Sequence, residues 1–234
     1  MHYELCIMNY ALKKNEMKTI IFDMDGVLID SEPYWREVEK AIFLKEGVLI
    51  TDEMCYDVQG LKAEHVVETW VKQFPHLKHS VTEYVAWIQD GVQQKISTEG
   101  KPMDGVLETL EFLRQKGCKM LVASSSNYVL INTVIDRLGI RKYFDVIHSS
   151  QDEKLGKPYP DVFLHAAARI GSRPEDCIVI EDSANGVRAA KAAGMTAIAI
   201  PAPSNYSNPV FDMAEYKLRN MGEVIGIFED CGVK

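Results

Sequence analysis

Cysteine is scarce and unpatterned in this chain. Cys6, Cys55, Cys118, Cys177 and Cys231 are five among 234 residues, odd in number and nowhere spaced as Cys-x-x-Cys. That usage fits reduced thiols in a cytoplasmic protein better than a disulfide framework or a cysteine zinc site. Long apolar runs are missing too, since nothing approaches the roughly 18 residues that a membrane helix needs. Positive charge is in deficit: 26 Lys and Arg stand against 34 Asp and Glu, for a net charge of −8. No basic excess is left to neutralise a phosphate backbone, so neither nucleic acid nor an anionic membrane is an expected partner. Met1 to Glu16 lack an apolar h-region and a small-residue cleavage site, and do not read as a secretory signal. We expect residues 1–16 to be an extension ahead of the first strand, and the protein to be a monomer. Internal repeats and low-complexity segments are also missing.

What is present is an alternation of short apolar runs with helical patterns. Lys18–Val27 begins as a β-branched and aromatic run and ends in Asp23-Met24-Asp25-Gly26. From Tyr34 to Gly100 the apolar residues recur at helical spacing (Val38/Ile42, Val66/Val67/Trp70/Val71, Tyr84/Val85/Ile88/Val92), with no strand between them. Downstream, helices over Val106–Lys116, Asn127–Leu138, Asp161–Ile170 and Ser183–Ala193 alternate with strands over Lys119–Ala123, Phe144–His148, Cys177–Ile180 and Thr196–Ile200. A last amphipathic piece covers Met221–Phe228. Alternating strand and helix predicts an α/β fold with a doubly wound parallel sheet. The helical block interrupts it after the first strand, as an inserted cap over the C-terminal rim. The expected division is a core of 17–31 and 101–234, with a cap of 32–100.

The chemistry-bearing residues all fall where strands end, the rim at which open parallel sheets bind ligands. Asp23 and Asp25 share one side only if the chain stays extended there. Two half-buried carboxylates call for a compensating cation, although Asp-Gly in a plain turn is the ordinary alternative. Ser124-Ser125-Ser126-Asn127 offers hydroxyls and N–H groups at a helix start, either an anion site or an N-cap. Lys157, between Gly156 and Pro158, is either a fixed cation facing an anion or a surface lysine. Glu181-Asp182-Ser183 offers oxygen ligands to a hard cation, or a cap for the next helix.

Together these clusters resemble the four signature motifs of the haloacid dehalogenase superfamily of phosphotransferases, over about residues 17–203. The resemblance implies a core of that family's fold and a set of roles. Asp23 would be the nucleophile and Asp25 the general acid and base. Ser124, with the backbone N–H of Ser125 and with Asn127, would bind phosphate, and Lys157 would stabilise negative charge. Mg2+ would be held by Asp23, Asp182 and the Asp25 carbonyl, with Glu181 acting through water.

Dehalogenases of the superfamily use no metal and lack an acid two residues after the nucleophile, so Asp25 and Asp182 argue for phosphoryl transfer. Phosphosugar mutases of the β-phosphoglucomutase type share the core motifs, but carry a histidine where Trp35 stands and an arginine near Ala63. Asp30–Trp35, Gly60-Leu61-Lys62 and Val66–Trp70 look like the bacterial 2-deoxyglucose-6-phosphate and hexitol phosphatases. The expectation is therefore a phosphatase acting on a small phosphorylated sugar, with Lys62 either reaching the substrate or solvated, and Trp35 either walling the pocket or packing cap on core. A mutase and a non-catalytic phosphate-ester-binding protein are the alternatives. His65, His76, His79, His148 and His165 show no ligand spacing and are expected at the surface or in packing.

Overall fold

The computed structural model describes residues 18–230; residues 1–16, the expected extension, lie outside them. Strand β1 (Thr19–Phe22) is buried along its whole length, and a sheet forms around it. With β2 (Lys119–Ser124), β3 (Val146–Ser149), β4 (Cys177–Glu181), β5 (Thr196–Ala199) and β6 (Tyr216–Lys217), the order is β3-β2-β1-β4-β5-β6. Every pairing is parallel. Strand β6, only two residues long, is an addition to the five strands read from the sequence. So short a run carries no periodicity that sequence could reveal.

Both faces of the sheet are covered, and side-chain alternation divides the core accordingly. Ile20, Phe22, Met120, Val122, Ile178, Ile180 and Ile198 point to one face. There they meet α5 (Val106–Gln115), α6 (Tyr128–Leu138) and α9 (Glu223–Asp230). Ile21, Leu121, Ala123, Val179 and Ala197 point to the other, against α7 (Asp161–Ala168) and α8 (Ala184–Ala192). Alanine dominates those two helices (Ala166, Ala167, Ala189 and Ala190 are all buried), which lets them lie close to the strands.

Between β1 and α5 the chain forms four helices: α1 (Glu32–Lys45), α2 (Asp52–Val58), α3 (Ala63–Gln73) and α4 (Val81–Glu99). Pro33 in the first turn suits the start of α1, where its missing N–H has no partner to lose. A capping box of Ser80 and Glu83 opens α4. Val66, Val67, Trp70, Tyr84, Val85, Ile88 and Val92, at the predicted helical spacing, are buried. The architecture is thus an α/β sheet with a helical insertion after its first strand. Among the described residues, no helix is long and apolar enough to cross a membrane.

Candidate active site

β1 is the central strand, with β2 on one side and β4 on the other, so the crevice beyond its C-terminal end is the topological switch point of the sheet. The ladder runs on for one residue, since the Asp23 N–H donates to the Ile180 carbonyl at 3.0 Å. Asp23 continues the parity of Ile21 and so faces the α7 side, from which Lys157 arrives. Lys157 is 1 % exposed. Its ammonium donates to Asp23 Oδ1 at 2.5 Å and to Glu181 Oε1 at 2.6 Å, and lies over the Phe163 ring. A buried lysine between two carboxylates is a fixed cation and not a surface residue. The paired charges and the ring hold it in the ammonium form, with its pKa raised despite burial.

Glu181 is wholly buried and fully used. Its Oε2 accepts the N–H groups of Asp182 and Ser183 and the Ser183 hydroxyl, while Oε1 holds Lys157. Gly186 makes room for it, because a Cβ there would overlap the Glu181 carboxylate. With both oxygens engaged, Glu181 orients Lys157 and offers no side-chain oxygen to spare. Asp23, Glu181 and Asp182 nonetheless have carboxylate oxygens within 4.8 Å of one another. Gly26 (φ 76°) lets the turn after Asp25 pass Asp182, whose carboxylate a Cβ would overlap.

Asp182 Oδ2 accepts from Gln59 Nε2 at 2.7 Å, and Asn185 in turn donates to the Gln59 carbonyl. Among the described residues this leaves Asp23 Oδ2 and Asp182 Oδ1 without a hydrogen-bond donor. Burial raises the pKa of Asp23 to about 8 against the pull of Lys157, with Glu181 and Asp25 adding repulsion. Burial, Glu181 and Glu32 likewise raise Asp182 well above the carboxylate range. Two free, hard oxygens on acids that need a cation to stay ionised form a donor set that fits a divalent ion such as magnesium.

Asp25 is held quite differently. Oδ1 accepts from the Ser31 hydroxyl at 2.5 Å and from Trp35 Nε1 at 3.0 Å, and Oδ2 from the Ser126 hydroxyl at 2.8 Å. Two serines and an indole therefore aim this carboxylate. Trp35 lines the cavity and orients Asp25. Ser124 is 1 % exposed and its Oγ accepts from the Ser126 N–H, which leaves the hydroxyl proton free to donate.

Other expected site residues are engaged elsewhere. The Ser125 hydroxyl donates to the Gly60 carbonyl in the helical insertion. Asn127 caps α6 by accepting from the Leu130 N–H and donates to Gln89, so its side chain is not directed at a phosphate. Lys62 Nζ donates to the Glu153 carbonyl at 2.7 Å, and its side chain lies against Gly156, next to Lys157. His148 is buried and His165 exposed, in keeping with the packing and surface positions expected of them. They clasp the buried Glu153 carboxylate, with Nε2 of His148 at 2.5 Å from Oε1 and Nδ1 of His165 at 2.7 Å from Oε2. These are hydrogen-bond separations, since a tetrahedral zinc would hold its ligands about 3.3 Å apart.

Over the rim lies a cleft between the sheet and the helical insertion. Asp23, Asp25, Asp182 and Ser124–Ser126 form its floor, and Glu32, Trp35, Arg36, Glu39, Gln59 and Gln89 stand among its upper walls. Sequence reading gave no individual role to Glu32, Arg36, Glu39, Gln59, Gln89 or Ser31, and offered Ser126 only as one of a hydroxyl cluster. For three of these a signal existed, because Glu32, Arg36 and Glu39 share one stripe of α1 at i, i+4, i+7.

Comparison with known proteins places this geometry in a family. The profile described as "Hydrolase: haloacid dehalogenase-like hydrolase" matches residues 17–194. The chain is 34 % identical over 206 residues to hexitol phosphatase B of Escherichia coli, covering 87 % of this chain and 92 % of that one. It is 32 % identical over 182 residues to the phosphorylated carbohydrates phosphatase of Thermotoga maritima, covering 78 % and 84 %. The structure of β-phosphoglucomutase from Clostridium difficile superposes with a TM-score of 0.78 at 22 % identity, over 94 % of this chain and 100 % of that one, a likeness of fold.

Proposed function

This chain belongs to the haloacid dehalogenase-like hydrolases, and we propose that within them it is a magnesium-dependent phosphatase of small hexose or hexitol phosphates that works through an aspartyl-phosphate. The observation that carries this reading is the buried Lys157 ammonium, 2.5 Å from the Oδ1 of Asp23, which lines the floor of the cavity. Its charge opposes the protonation that burial favours, and a bound cation would add to that effect, as an ionised nucleophile requires.

Asp23 attacks phosphorus through one carboxylate oxygen, and its other oxygen stays available to the metal. Ser124 Oγ–H and the Ser125 N–H receive the phosphoryl oxygens, and Lys157 balances the charge that builds up in the transition state. Asp25 protonates the leaving alcohol and then takes a proton from the attacking water. Its donors permit both duties. A serine hydroxyl can donate or accept, so Ser31 and Ser126 can turn to accept a proton held by Asp25, while the donor-only Trp35 N–H fixes the orientation of Oδ1. Magnesium, held by Asp23 and Asp182 with the Asp25 carbonyl, would neutralise charge between the substrate and the nucleophile.

Sugar-phosphate specificity is supported by the relatives named above and by a cavity rich in hydrogen-bonding side chains. Asp23→Asn should abolish phosphate release from sugar phosphates in the presence of magnesium, and a chelator should do the same to the unmodified enzyme. Undiminished release by Asp23→Asn would refute the nucleophile assignment.

A further inference from the structure

We propose that Lys62 is a positioning residue for Lys157: through it the helical insertion holds the loop that presents the Lys157 ammonium to Asp23. The inference rests on the phosphatase reading and adds to it a residue that serves the chemistry without touching the substrate.

Lys157 is carried by the segment that runs from the end of β3 to α7. Lys154 and Leu155 on that segment are exposed, so its course up to Lys157 depends on two buried points, Glu153 and Gly156. Glu153 is fixed from the core side. Its N–H donates to the Ser150 carbonyl at 3.0 Å, and its carboxylate is clasped by His148 of β3 and His165 of α7. The Glu153 carbonyl is therefore an acceptor held in place, and the Lys62 ammonium donates to it at 2.7 Å. Gly156 is the second point. The Lys62 stem lies against it, since a Cβ there would fall 2.7 Å from Lys62 Cγ and 3.0 Å from Cδ. One side chain of the insertion thus meets both ends of the stretch that leads into Lys157.

The connector from which Lys62 projects joins α2 to α3, and it is tied to a rim loop at three places. Gln59 donates to Asp182 and accepts from Asn185 after β4, the Gly60 carbonyl accepts from Ser125 after β2, and Lys62 donates to the loop after β3. The first two ties reach residues of the metal and phosphate sets directly. The third ends on a main-chain carbonyl, and the catalytic group on that loop is Lys157, adjacent to Gly156. With its ammonium on the Glu153 carbonyl and its stem along Gly156, Lys62 acts on the reaction by way of this loop. Such an indirect role can be large, because a shift of about 1 Å in a catalytic group can cost up to about 100-fold in rate.

The test measures kcat and KM for phosphate release from a panel of hexose and hexitol phosphates with saturating magnesium. It compares the unmodified enzyme, Lys62→Met, Lys157→Met and the double variant. Lys62→Met keeps a stem against Gly156 and removes the ammonium. It should lower kcat by about tenfold on every ester that is turned over, with KM changed by less than about twofold. In the Lys157→Met background the same substitution should lower kcat by less than about twofold, since the group that Lys62 positions is gone. Lys62→Arg, which can still donate to the Glu153 carbonyl, should return part of the lost kcat. An equal loss in both backgrounds, an unchanged kcat, or a rise in KM alone, as loss of a substrate contact would give, would overturn the role of Lys62 and leave the phosphatase reading standing. Failure of the unmodified enzyme to hydrolyse any ester of the panel would overturn that reading and this inference with it.

Discussion

Replacing Lys157 with methionine tests the charge balance of the site more directly than any other single change. The substitution keeps the volume and removes the ammonium that Asp23 Oδ1 and Glu181 Oε1 share at 2.5 and 2.6 Å. Asp23 is then 6 % exposed and Glu181 is fully buried, with no cation between them. Breaking a buried ion pair by removing one partner costs about 3–5 kcal/mol. For a chain of this size each kcal/mol lowers Tm by about 2–4 °C, so a fall of about 6–20 °C is expected in a thermal melt with chelator at pH 8. Two dependences separate this mechanism from simple loss of packing. The stranded carboxylates can take up protons, so the deficit should narrow as the pH is lowered towards 5. Magnesium at a hundred times its Kd should add about 2.7 kcal/mol to any fold that binds it, and part of the loss should return. Activity should fall by about 10²–10³ in kcat even with magnesium saturating, because the transition-state charge loses its fixed partner. A Tm change below about 2 °C at pH 8, or a deficit that is the same at both pH values, would refute the reasoning.

Two further substitutions probe the residues around this centre. Gln59→Ala removes the amide that orients Asp182 Oδ2 at 2.7 Å, and should weaken magnesium binding by about 10–100-fold; calorimetric titration with the metal measures it, and unchanged affinity would show that Asp182 is fixed by other contacts. Glu39→Gln should change how stability depends on pH. The folded pKa of Glu39 is about 7 against an ordinary 4.5, so the native state holds a proton that the unfolded chain has released. Stability therefore declines as the pH rises through that window, by at most about 3 kcal/mol. Urea melts of Glu39→Gln should lack this decline, so that the variant gains on the unmodified protein between pH 4.5 and 7 and holds its advantage above.

The parts of this protein that sequence made legible are those governed by backbone periodicity and by strand ends. Lys18–Phe22 reads as a buried strand because an apolar β-branched run has few other uses, and Asp23, Ser124, Lys157 and Asp182 could be placed at one rim because each follows a strand or its loop. Short elements escaped, as β6 did with two residues. What could not be read is which neighbour each polar side chain would choose. Asn127 looked equally suited to a phosphate and to a helix cap, and took the cap. Lys62 had an anion to reach for, and instead took the Glu153 carbonyl. His148, Glu153 and His165 have no recognisable spacing and meet only because β3, its following loop and α7 converge.

The residues that sequence missed are nearly all on the helical side of the cavity, and there is a physical reason for the asymmetry. Chemistry at the rim needs a nucleophile, a proton carrier, a cation and a metal set, and these requirements restrict residue type strongly enough to leave motifs. Recognition of a polyol needs only hydrogen-bonding groups at suitable depth, which Glu, Gln, Arg or Trp can each supply. Helical spacing of polar residues also resembles an ordinary solvated face. Glu32, Arg36 and Glu39 would pass for such a face in α1, were it not that the helix begins at Asp25 and turns this stripe inward over the rim. A polar stripe on a helix that starts at a catalytic strand end is therefore a usable signal. It marks the wall that faces the cavity above the rim.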